Sequence, residues 1–174
     1  CGASIAGFLW TKKRKQYLRD SRLIPTNALV DAINRRGHSV SLLIQASAVG
    51  IYPSSSAMAT QRSCDEESLL ASDFLGKLCQ DWEAPIHQLN DTCRAVPLRL
   101  GVVLGNSGGM YIPLSRLFRF FMGHGIGRGS QAFPWVHIDD VVSSIRYCME
   151  ATTIKGPVNC VAPQLCTFET FIRH

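Results

Sequence analysis

Apolar positions along the chain fall into two patterns, and the alternation between them predicts the architecture. Between Thr11 and about Asn34 they recur at helical spacing, with Leu29, Val30 and Ile33 on one face. Thr11 is placed to cap the start, Gly37 follows the end, and Pro25 is expected to kink or divide the segment. SVSLLIQASAVGIYP (39–53) then runs apolar without a break through Leu42, Leu43 and Ile44, which predicts a buried strand leading into a small-residue turn. A polar loop, SSSAMATQRSCDEES, separates it from a second helical stretch. There Leu75, Leu78, Cys79, Trp82, Ile86 and Leu89 share a face, Ser72 or Asp73 can cap the start, and Pro85 bends the helix or marks its last turns.

AVPLRLGVVLG predicts a second buried strand, Ala95 to Leu104. A helix over Pro113 to Met122 and the glycine-rich loop GHGIGRGSQAF follow. PWVHI is a short strand, Asp139 or Asp140 starts a helix reaching Glu150, PVNCVAP is a last strand, and TFETFIRH begins one more helix. Apolar strands alternating with helices predict an α/β fold, a doubly wound parallel sheet with helices on both faces.

Composition narrows the class. A chain of 174 residues, 46% hydrophobic and 18% charged, is long enough for one domain with a real core. No apolar run is long enough to span a bilayer and no charged-then-apolar leader opens the chain, so a cytoplasmic protein is expected. Net charge is +5, with a cluster at Lys12-Lys13-Arg14-Lys15. No aromatic residues interleave that cluster, so it reads as a solvated helix face rather than a nucleic-acid surface. Seven scattered cysteines with no CxxC pair argue against a disulfide framework or a zinc ribbon. His124, His137 and Cys148 lack metal-ligand spacing.

LIQASAVGIYP, DFLGKLCQDWEA, LRLGVVLGNSGG and GRGSQAFPWVHIDDVVSSI occur in this order. Together with the opening CGASIAGFLWTKKRKQYLRDSR they resemble the extended short-chain dehydrogenase/reductases, in an atypical, NAD-dependent epimerase/dehydratase-like subgroup. The resemblance covers nearly the whole chain and implies a partial Rossmann-like fold that binds NADP or NAD and an unknown small-molecule substrate. It also implies that the chain is the C-terminal portion of such a domain, with a small substrate-side lobe within about 105–174. Members carry about two βαβ units before this point, holding the glycine fingerprint for the pyrophosphate. GHGIGRGS lies between a helix and a strand and does not match that fingerprint. A sheet cut at that point would expose an unpaired edge, which a homodimer would cover.

In catalytic members a tyrosine and a lysine four residues later do the acid/base work. Counted back from Glu83, those positions fall on Leu75 and Cys79, which cannot do it. Hydride transfer of the usual kind is therefore in doubt, and a non-catalytic nucleotide-binding or scaffold module stays open as the alternative. The resemblance implies that Ser47, at the carboxyl end of a strand, hydrogen-bonds substrate or the nicotinamide side; a turn-stabilising hydroxyl is the alternative. Tyr52 is either a replacement acid or a packed ring with its hydroxyl at the surface. The resemblance further implies that Arg22 reaches the cofactor phosphates, that Cys1 and Gly2 line the adenosine side, and that Gly101 to Val103 bring backbone near the nicotinamide. Glu83 is expected to be a surface or buried hydrogen-bond partner, and Trp82 to fill the core. Asp139 is expected to cap its helix, with His137 packed in the strand before it.

Overall fold

The computed structural model describes residues 2–5, 9–53, 63–105, 108–109, 129–164 and 166–173. Cys1, His124 and the helix expected over Pro113 to Met122 lie outside them.

The first helix, α1, spans Lys12–Arg36 without interruption. The Thr11 hydroxyl accepts from the Arg14 N–H at 3.2 Å, and Gly37 closes the helix at φ 62°. Pro25 does not divide it. The turn around the proline carries its own side-chain bonds: Thr26 Oγ1 donates to the Arg22 carbonyl at 2.8 Å, and Arg22 Nη1 to the Leu18 carbonyl at 3.0 Å. Leu18, Val30 and Ile33 pack on both sides of it, at 0%, 1% and 5% exposure. Burial of one stripe, Leu18, Arg22, Thr26, Val30 and Ile33, outweighs the lost backbone bond. Leu29, expected on that stripe, is exposed.

Three parallel strands form the main sheet: β1 (Leu42–Ala48), β2 (Arg94–Leu100) and β6 (Val158–Cys160), in the order β1-β2-β6. The apolar run expected to be one strand from Ala95 to Leu104 is two. After β2 the chain continues as β3 (Val102–Gly105) into a second sheet of order β4-β3-β5, with β4 at Gly108–Gly109 and β5 at Trp135–His137. The exchange of partners occurs at Gly101. Its N–H donates to the Cys160 carbonyl in β6, and the next N–H, of Val102, donates to the Pro134 carbonyl leading into β5. A Cβ at position 101 would stand 2.6 Å from that Pro134 oxygen, so only glycine admits the crossing.

Helix α2 (Phe74–Glu83) starts at Asp73, whose carboxylate accepts from the Gly76 N–H at 2.8 Å. At Pro85 the chain passes into a 3-10 turn over Ala84–Gln88, so the proline marks the helix end. Helix α3 (Ile138–Glu150) is capped by His137, not Asp139: His137 Nδ1 accepts from the Asp139 N–H at 3.3 Å. His137 ends β5 and its side chain is exposed, so it serves as the cap while Asp139 occupies the first turn beside the helix N-terminus. Helix α4 (Phe168–Arg173) carries Phe168 and Phe171 onto Phe133, with ring centroids 5.4 and 4.6 Å apart.

The two faces of the main sheet differ. Leu98 and Cys160 pack with Val136 and with Val141 of α3, joined by Ile44, Leu100 and Val158, in an apolar layer. The alternate positions carry Gln45, Ser47, Arg99 and Asn159. They lie toward α2, where Gln45 Nε2 donates to the Trp82 carbonyl at 2.7 Å. Among the described residues no helix is long and apolar enough to cross a membrane.

Candidate functional site

Parallel pairing sets the site. Ser47 of β1 is in register with Arg99 of β2, and Arg99 with Asn159 of β6, which makes a polar row across the carboxyl half of the sheet. Ser47 and Arg99 are 3% and 5% exposed. A guanidinium that deep needs a counter-ion. Glu83, on the last turn of α2, supplies it: Arg99 Nε donates to Oε1 at 3.1 Å and Nη2 to Oε2 at 2.9 Å. Burial alone would lower the Arg99 pKa, but the hydrogen bonds to Glu83 and Tyr52 and the charge of Glu83 push it up.

The row continues through hydroxyl groups. Ser47 Oγ donates to Glu83 Oε1 at 2.5 Å. Arg99 Nη1 donates to the Tyr52 hydroxyl at 2.7 Å, and that hydroxyl donates to Asn159 Oδ1 at 2.8 Å. Asn159 Nδ2 reaches the Cys64 carbonyl at 3.3 Å, its N–H reaches Glu66 Oε1 at 2.6 Å, and Arg99 Nη1 also donates to the Glu66 carbonyl at 3.0 Å. Segment 64–66 is thereby tied to the end of the sheet. Ser47 and Tyr52 belong to one cluster, and its centre is Arg99, which no sequence motif marks. The Tyr52 hydroxyl is not at the surface. The phenol packs with Ile51 and Cys79 at 8% exposure, because Arg99 and Asn159 give its oxygen partners inside. Glu83 takes the buried, hydrogen-bonded alternative.

Leu75 is half-buried on α2 and Cys79 is buried. Burial, reinforced by the Glu83 charge, pushes the Cys79 thiol up to about 11, so it stays protonated at neutral pH.

Arg22 lies apart from the row. It is 8% exposed and, among the described residues, has no carboxylate in ion-pair contact. Its Nη groups donate to the carbonyls of Leu18 (3.0 Å) and Ala3 (3.3 Å), its guanidinium stands 5.1 Å from the Trp82 ring centroid, and burial lowers its pKa. Trp82 is half-buried and its Nε1 donates to Thr26 Oγ1 at 3.2 Å. Gly2 lies against Arg22; a Cβ there would meet the guanidinium carbon at 3.1 Å. Gly101 and Val103 sit at the junction of the two sheets, where Pro134 and Val161 crowd position 101.

A parallel sheet covered by helices on both faces, with its polar row at the carboxyl ends of the strands, is a Rossmann-like α/β fold. The chain belongs to the NAD dependent epimerase/dehydratase family, which matches residues 1–160. An epimerase family protein of Mycobacterium tuberculosis, MT2273, is 37% identical over 164 residues, covering 94% of this chain and 52% of that protein. Crystal structures agree. Human epimerase family protein SDR39U1 (isoform2) with NADPH superposes with a TM-score of 0.90 at 31% identity, covering 99% of this chain and 58% of that one. The nucleoside-diphosphate sugar epimerase of Corynebacterium glutamicum does so with a TM-score of 0.79 at 30% identity, covering 97% and 36%. The chain spans about half the length of the curated relatives it matches.

Proposed function

We propose that the intact protein binds NADP(H) or NAD(H) at the carboxyl ends of this sheet and acts on a small-molecule substrate as an atypical epimerase or oxidoreductase without the tyrosine–lysine pair. The observation that carries the reading is Arg22. A buried guanidinium whose neighbours among the described residues are the Leu18 and Ala3 carbonyls, the Ser21 hydroxyl and an aromatic face has no carboxylate to balance its charge there, and a phosphate is the partner its fork geometry suits. In this reading Arg22 meets the cofactor phosphates, Cys1 and Gly2 line the adenosine side, Gly101 and Val103 bring backbone toward the nicotinamide, and Ser47 faces the ligand. The human relative crystallised with NADPH supports the choice of cofactor.

The test is NADPH and NADH binding by the intact protein, followed by protein fluorescence. Arg22→Ala should weaken the tighter of the two by at least about tenfold, the scale of a charge-assisted contact, with circular dichroism unchanged. Unchanged affinity sinks the assignment. A second reading, a nucleotide-binding module without catalysis, is favoured by Leu75 and by the protonated thiol of Cys79. Turnover of any sugar nucleotide or carbonyl compound by the intact protein removes it.

A further inference from the structure

The hydrogen bonds of the row have directions that only one arrangement satisfies. A guanidinium donates and never accepts. Glu83, gripped at both oxygens, is an acceptor, so the Ser47–Glu83 bond uses the serine proton. The Tyr52 oxygen accepts from Arg99, so its own proton goes to Asn159 Oδ1, and the Asn159 amide is oriented by its Nδ2 bond to the Cys64 carbonyl. Both hydroxyls that the sequence nominated for chemistry have therefore committed their protons to the interior.

We propose that Arg99 is a positioning residue that fixes this polarity. Ser47 then offers the ligand lone pairs only, and the group it receives brings an N–H or O–H donor. This rests on the reading that Ser47 faces the ligand. Two sources carry such a donor: the carboxamide of the nicotinamide ring and a hydroxyl of the substrate. A bare carbonyl, which needs a donor from the protein, is the wrong partner for Ser47.

Binding to the intact protein tests it with two ligand pairs. One is NADP+ against its 3-acetylpyridine analogue, in which a methyl replaces the carboxamide NH2. The other, with NADP+ bound, is UDP-glucose against its 4-deoxy counterpart. The pair whose donor meets Ser47 should show a preference of about tenfold for the donor-bearing member, as expected when one buried hydrogen bond is lost. Ser47→Ala should bring that ratio to one. Arg99→Lys, a point charge that cannot grip Glu83 and Tyr52 together, should also lower the ratio, which a purely structural role would leave alone. If Arg99→Lys does not fold, Ser47→Ala decides. No preference in either pair, or a preference that survives Ser47→Ala, overturns the proposal. Loss of all NADP+ and NADPH binding overturns the functional reading itself and is a separate result.

Discussion

Arg99 stands in PLRLG, where its near neighbours in sequence are apolar or glycine. A charge in a strand that is apolar on its other face implies a partner, and this could be read from the sequence. Which partner could not, because strand register and the packing of α2 bring Glu83 to it. The pair is nearly dry, so removing one member leaves the other charged and buried. Arg99→Met should destabilise by about 3–5 kcal/mol, seen as a fall in Tm, and adding Glu83→Gln should recover part of that loss. Cys79 gives a pH test. Its folded pKa of about 11 lies above the 9.0 of an ordinary thiol, so over that interval the unfolded thiol loses its proton before the folded one. Stability then falls as pH rises from about 9 to 11, because the unfolded chain binds fewer protons. The slope of Tm against pH in that window should be shallower in Cys79→Ala than in the parent.

At the scale of elements, the order of helices and strands among the described residues could be read from periodicity except for the short β4, and three junctions could not. Pro25 announces a kink or a division, and burial of the α1 stripe overrides the division. Pro25→Ala restores a donor to the helix and should raise Tm, since proline inside a helix costs up to about 3 kcal/mol. His137 displaces Asp139 as the cap because β5 ends there and its ring reaches the next free N–H. Gly101 hides a change of sheet inside one apolar run, since apolar residues continue while their partners change. Gly101→Ala should lower stability by about 1–3 kcal/mol, because the Pro134 carbonyl lies where the methyl would go. Measuring Tm of the two variants side by side separates the opposite signs.

At the scale of the whole molecule, the site gathers residues far apart in the chain. Tyr52 and Asn159 are separated by 107 positions, and Ser47 and Glu83 by 36. Contacts of that span form only after the intervening loops close, so they are expected late in folding. Tyr52→Phe should therefore speed unfolding and leave the refolding rate nearly unchanged, as stopped-flow measurements would read. A change confined to refolding would place the row in the folding nucleus instead. The separation also explains why the residues could be nominated singly but not assembled from the sequence.

The row that joins Ser47, Arg99 and Asn159 also acts as a proofreader of strand pairing. Side chains alternate between faces, so a slip of β2 by one residue would turn Arg99 into the apolar layer under α3 and set Leu98 or Leu100 against Glu83. An aliphatic run such as LLI in β1 would tolerate several alignments by itself. The polar positions favour the alignment in which Arg99 meets Glu83, so a misaligned sheet would bury that charge without a partner.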